Sequence, residues 1–177
     1  MKALLALGIA MAAVMQAAEC VTVSLVNPSA VPPAVLVRGK VIAAGIFSEI
    51  GVELRWDGRR AKACGTHIEV ELTCSAGPED RPGSLAYASV GVGAGRRVHV
   101  YVDRVNMMVP AADRGALLGH VFAHEITHIL EGVPRHSGAG VMKAHWETDD
   151  LRALRLHPLR FELVDQALIH AGLTPNE

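Results

Sequence analysis

The chain has 177 residues, with 50% hydrophobic and 20% charged residues and a formal net charge of −1. That length suits one domain with a sizeable core, held without metals or staples. The near-zero charge supplies no long-range field toward nucleic acid or an anionic membrane. No basic run or aromatic platform compensates.

The chain opens MKALLALGIAMAAVMQAA. One positive charge at Lys2, an apolar run from Ala3 to Met15, and the small residues Ala17 and Ala18 match a secretory signal peptide. The run is short for a membrane span, and Glu19 before Cys20 argues against lipoprotein processing. We therefore expect a signal peptide over residues 1–18, cleavage near Ala17 or Ala18, and a secreted or periplasmic domain over 19–177.

VTVSLVN at 21–27 is β-branched and alternating, which predicts a strand. NPSAVPP breaks it. Residues 34–50 carry apolar groups at helical spacing, and Gly51 ends that helix. VELRW at 52–56 predicts a second strand. HIEVELT at 67–73 sets Ile68, Val70 and Leu72 against Glu69 and Glu71, the pattern of a half-buried strand. SAGPEDRPG at 75–83 is a loop. Strands are expected at 85–92 and 97–105, joined as a hairpin at a glycine-rich turn. Pro110 and Asp113 introduce a helix reaching to Gly132. Helices are expected again at 147–156 and 158–172. No repeat or interdomain linker interrupts this order, which points to an α+β domain with one sheet.

Cysteines stand at 20, 64 and 74, so at most one internal pair forms. Cys64 and Cys74 flank a predicted strand that would hold them about 30 Å apart if fully extended. Their pairing needs a turn. Pairing of Cys20 with either is the alternative.

Residues 124–142 read HEITHILEGVPRHSGAGVM. On a helix, His124 and His128 lie four apart on one face, so their imidazoles can share one zinc ion. Glu125 sits about 100° round the helix, which favours reaching a water on the metal over joining the ligands. Gly132 can end the helix in a left-handed conformation, and His136 then arrives where a third ligand folds back. Other candidate ligands are Glu147, 19 residues after His128, with Asp149 and Asp150 near it, and also His145 and Glu131. Glu131 reads as a solvent-facing residue at the helix end. His120, one turn before His124, reads as an ordinary partly exposed histidine. His67, His99, His157 and His170 lack partner spacing and read as strand or surface residues. Trp146 reads as a core anchor for the segment after the motif. Tyr87 and Tyr101 lie on predicted strands, without motif support as oxyanion donors.

The stretch resembles the metzincin signature of zinc peptidases, His-Glu-x-x-His-x-x-Gly-x-x-His followed by a Met-turn. HS at 136–137 and the following GVM resemble the matrixin branch. The longer stretch GHVFAHEITHILEGVPRHSGAGVMKAHW also resembles bacterial secreted proteins carrying such a motif. Gly132 falls one residue later than in the metzincin pattern, and His136 two residues later. The resemblance covers about half of the chain, from YVDRV to the LRF segment. It implies a single metzincin-like domain: one mixed twisted sheet packed on a long N-terminal helix and the motif helix, with C-terminal helices. It implies one catalytic Zn²⁺ on His124, His128 and His136, Glu125 as general base toward a zinc-activated water, Met142 as an apolar floor, and Gly132 as structural support. The activity implied is hydrolysis of peptide bonds in a peptide or protein substrate. The thermolysin-like ligand set with Glu147, and a secreted zinc-binding module without turnover, are the alternatives. Substrate specificity and oligomeric state are not encoded in any motif. No Gly-x-Ser-x-Gly elbow supports a nucleophilic hydrolase.

Overall fold

The structure, a computed structural model, describes residues 19–56, 64–74, 82–91, 95–154 and 156–174. The expected signal segment, the DGRR turn at 57–60 and most of the 75–83 loop lie outside the described residues.

Five strands form one mixed sheet in the order β2-β1-β3-β5-β4. They are β1 (Glu19–Val26), β2 (Val52–Trp56), β3 (Thr66–Thr73), β4 (Ala86–Gly91) and β5 (Gly95–Tyr101). The pairs β1–β2, β1–β3 and β3–β5 are parallel, and β4 runs antiparallel to β5. The alternation in β3 is used as expected: Ile68, Val70 and Leu72 are all 0% exposed. Both edges, β2 and β4, lie where a short strand limits unwanted pairing.

Helix α1 (Pro33–Ser48) follows β1. Proline at its first position suits a site where a backbone donor would be unsatisfied. Gly51, at φ 79°, turns the chain out of the helix into β2. α1 packs against α3 (Arg114–Glu131). Gly119 sets their distance: a Cβ there would lie 2.8 Å from the Gly39 carbonyl oxygen and 2.7 Å from Ile42 Cβ. α3 is buried along nearly its whole length, including Leu117, Leu118, Val121, Phe122, Ile126, Ile129 and Leu130. Each such side chain contributes about 1.5–3 kcal/mol relative to exposure, so packing rather than helix propensity holds α3 in place.

The structure corrects three expected spans. The expected strand 97–105 ends at Tyr101, and Val102–Met108 forms a short helix, α2. Pairing runs out there: Thr73 is the last β3 partner of Tyr101, and the Tyr101 N–H makes its hydrogen bond to Leu85 O. The expected helix 147–156 is shorter, as α4 (Thr148–Ala153). The expected helix 158–172 begins five residues late, as α5 (Leu163–Leu173), because Pro158 to Glu162 run without helical structure along α3. Of the cysteine pairings left open, Cys20–Cys64 forms, and Cys74 is exposed and free. Register is the cause: Val21 lies beside Thr66 in the parallel ladder, which brings Cys20 next to Cys64, with a Cα–Cα distance of 5.5 Å.

Candidate metal centre

Two of the three candidate ligands are delivered by α3. His124 is 8% exposed, and its ring meets the His128 ring at 4.7 Å between centroids, edge to face. Their Nε2 atoms lie 3.0 Å apart. His124 Nδ1 is 2.9 Å from the Val141 carbonyl oxygen. A carbonyl only accepts, so the His124 proton sits on Nδ1 and the Nε2 lone pair faces inward. Two imidazole nitrogens this close require a shared proton or a cation between them. About 3.3 Å is the separation expected for two nitrogens each 2.0–2.1 Å from a tetrahedral zinc ion. The donor set therefore fits zinc.

The third candidate comes from the loop after α3. Gly132 takes the left-handed conformation, φ 68°, and its N–H donates to His128 O at 3.1 Å. This closes the helix and reverses the chain. His136 returns to stack on His124 at 5.3 Å and meets His128 edge-on at 5.0 Å. One nitrogen from each of His124, His128 and His136 lies within 4.8 Å of the others. Among the described residues this is the group of His, Cys, Asp and Glu able to hold a metal ion.

Burial keeps these imidazoles neutral. It pushes His124 down to about 4, against the opposing pull of the Val141 hydrogen bond. His128 is pushed to about 4 by burial and then by its two histidine neighbours. His128 Nδ1 is buried with no partner in hydrogen-bond geometry, although the Val133 backbone lies close enough to favour a proton there. His136, more exposed, is lowered by partial burial and then by electrostatic repulsion from His145 and Arg135. Neutral imidazoles keep the lone pairs that a metal requires.

Backbone contacts tie down the segment after His136. Met142 is 0% exposed. Its carbonyl accepts from Ser137 N–H at 2.8 Å, closing the loop on itself. Val141 N–H donates to Arg160 O at 3.0 Å. Gly140, at φ 73°, permits this approach: a Cβ there would lie 2.1 Å from Arg160 O. Glu125, next to His124, is 8% exposed on the buried helix.

The remaining candidates are placed elsewhere. Glu147 caps α4, with its side chain 79% exposed and 3.9 Å from Lys143. Asp150 completes that capping box and pairs with Lys143 at 2.7 Å, and Asp149 pairs with Arg152. His145 is exposed and outside the triad, though near enough to His136 to influence it. Glu131 does not face solvent as expected. Its side chain is buried and pairs with Arg135 at 3.2 Å. His120 corrects another expectation, being 0% exposed. Its Nδ1 meets Ala116 O at 2.8 Å and its Nε2 accepts the Leu159 N–H at 3.0 Å. Trp146 is half-buried, donates to Gly140 O, and sets its ring edge-on to His120 and His124. Of the other histidines, His99 pairs with Glu71 and stacks on Tyr87, and His170 pairs with Glu19. Tyr101 lies against Arg104.

Sequence reasoning missed Asp165, Arg135 and the carbonyls of Val141 and Arg160. Asp165 carried one local signal, an acidic residue in the first turn of a helix. Nothing local tied it to a loop 28 residues away.

A separate surface hollow of about 350 Å³, lined by Arg38, Ala112, Asp113, Arg152 and Leu156, shares no residue with the histidines. Among the described residues no helix is long and apolar enough to cross a membrane.

The α+β domain with its mixed five-stranded sheet has the fold of an archaemetzincin. One solved structure it is similar to is the 1.5 Å crystal structure of archaemetzincin from Methanopyrus kandleri, with a TM-score of 0.56 and 17% sequence identity. The likeness covers 90% of this chain and 99% of that one. No family model and no curated protein matches the sequence.

Proposed function

We propose that this chain is an exported zinc-dependent endopeptidase, with His124, His128 and His136 as ligands and Glu125 as general base. The observation that carries this reading is the convergence of three neutral imidazoles within 4.8 Å, from a helix and a loop, beside a carboxylate on the same helix. The archaemetzincin fold and the resemblance to the metzincin signature support it. Export draws support from residues 1–18 and from the Cys20–Cys64 disulfide, a bond that persists in oxidising compartments.

A zinc ion at this site supplies Lewis acidity toward water and toward a carbonyl oxygen. The chain's own residues do the rest. The Val141 carbonyl fixes the His124 tautomer and so the direction of its lone pair. Glu125 accepts the proton of the attacking water and returns it to the leaving amine. Met142 and the buried face of α3 exclude water from beneath the imidazoles. β4 is a sheet edge that packs against α3, and it offers unpaired backbone groups along which an extended peptide adds as a strand.

The test is cleavage of a peptide library by zinc-loaded protein. Glu125→Ala should lower turnover by at least about 10²-fold while zinc content stays at the wild-type level. Wild-type protein that holds zinc yet cuts no peptide would favour a binding module instead.

A further inference from the structure

We infer that Asp165 is the positioning residue for His136, acting on the two residues that flank it. The inference rests on the zinc-site reading above. His136 stands two residues later than in the pattern the motif resembles, on a loop that leaves α3 at Gly132. Such a loop does not hold a ligand by its own stiffness. Asp165 is 0% exposed, reaches in from the first turn of α5, and holds both neighbours of the ligand. Its Oδ1 accepts from Arg135 Nη1 at 2.7 Å and from Ser137 Oγ at 2.5 Å. Arg135 Nη2 also donates to Ser137 Oγ at 2.9 Å, closing a triangle between the two residues that flank His136. Asp165 is itself oriented, because its Oδ2 accepts the Glu162 N–H at 2.9 Å. Arg135 has a second anchor in Glu131, on the last turn of α3.

A buried carboxylate is costly unless charge and hydrogen bonds compensate it. Here one guanidinium, one hydroxyl and one backbone N–H do so, and two of those three donors belong to residues 135 and 137. A carboxylate serving only to cap α5 would need just the Glu162 N–H. The remaining contacts fix the path of the backbone through residue 136. The cluster is to His136 what the Val141 carbonyl is to His124: a set of outer contacts that orients a ligand.

The experiment compares wild type, Asp165→Asn, Ser137→Ala, Arg135→Gln and His136→Ala, each loaded with zinc or with cobalt(II). Asp165→Asn keeps the size and the cap but not the charge. It should lose about 10–100-fold in zinc affinity, the range for outer-shell partners of metal ligands. Its cobalt(II) visible spectrum should move toward that of His136→Ala, a change that a purely structural role would not produce. Ser137→Ala and Arg135→Gln leave α5 untouched. They should shift the spectrum in the same direction by less, and they carry the test if Asp165→Asn does not fold. Folded variants with wild-type zinc affinity and an unchanged cobalt spectrum would overturn the inference. Wild-type protein that binds neither zinc nor cobalt would instead remove the metal centre itself, and this role with it.

Discussion

Helix α3 and the loop after it each bring histidine to one place, by different physics. α3 delivers His124 and His128 through helical geometry, and its buried apolar sides leave the helix nowhere else to sit. The loop 132–142 has no such stiffness. It is held by polar contacts: Gly132 on His128 O, Ser137 on Met142 O, Val141 on Arg160 O, and the Arg135–Ser137–Asp165 cluster. Most partners of the helix are near in sequence or apolar and interchangeable. Those of the loop are distant, specific and directional. A ligand on the first frame should resist distant substitutions, whereas one on the second should answer to them.

The largest effect should come from the three proposed ligands. His124→Ala, His128→Ala and His136→Ala should each lower zinc affinity by orders of magnitude, while Glu147→Ala leaves it unchanged. Equilibrium dialysis against a chelator reads this. Loss in Glu147→Ala with retention in His136→Ala would erase the loop arm of the comparison.

Next is acid sensitivity of the metal-free protein. An unfolded imidazole takes its proton near 6.5, whereas folded His124 and His128 refuse theirs until about 4. Between those values protons favour the unfolded chain. The contribution of these groups is whole above about 6.5 and is lost as pH falls toward about 4. Urea midpoints measured across that window should decline, and His124→Leu should flatten the decline.

Gly140→Ala should destabilise by about 4 kcal/mol, the top of the ordinary range for one substitution. The new Cβ strikes the Arg160 carbonyl, and the backbone conformation is left-handed. Zinc affinity should fall with it, because Val141 orients His124. Thermal unfolding with and without zinc separates the two effects.

The smallest effect on the site should follow loss of the disulfide, which shares no residue with either arm. Cys20→Ser, which opens a loop of sequence separation 44, should lower stability by about 4 kcal/mol through loop closure in the unfolded chain and leave zinc affinity untouched. Cys74 should react with a thiol reagent in the folded protein, because it is exposed and free.

Sequence legibility divides along the same line. α3, its Gly132 terminus and the alternation of β3 were readable because their causes are local: period, left-handed glycine, strand pattern. Three histidines and Gly132 were nameable for the same reason. What was misread or left open depends on distant partners. Cys20 meets Cys64 through strand register, β5 ends where β3 and β4 stop pairing with it, and His120 is covered by Leu159. The apolar alternation of RVHVYVDRV continues past Tyr101 and gave no warning of α2. Asp165 is the extreme case, a residue whose neighbours in space lie about thirty positions earlier in the chain.

The segment Leu159–Asp165 touches the site three times: Leu159 at His120, Arg160 at Val141, and Asp165 at the flanks of His136. During synthesis, a ribosome that has released the motif helix has therefore not yet released the parts that align it. Assembly of the three-histidine cluster in its final geometry has to wait until residues through Asp165 have emerged, so biosynthetic order itself sets when the site is complete.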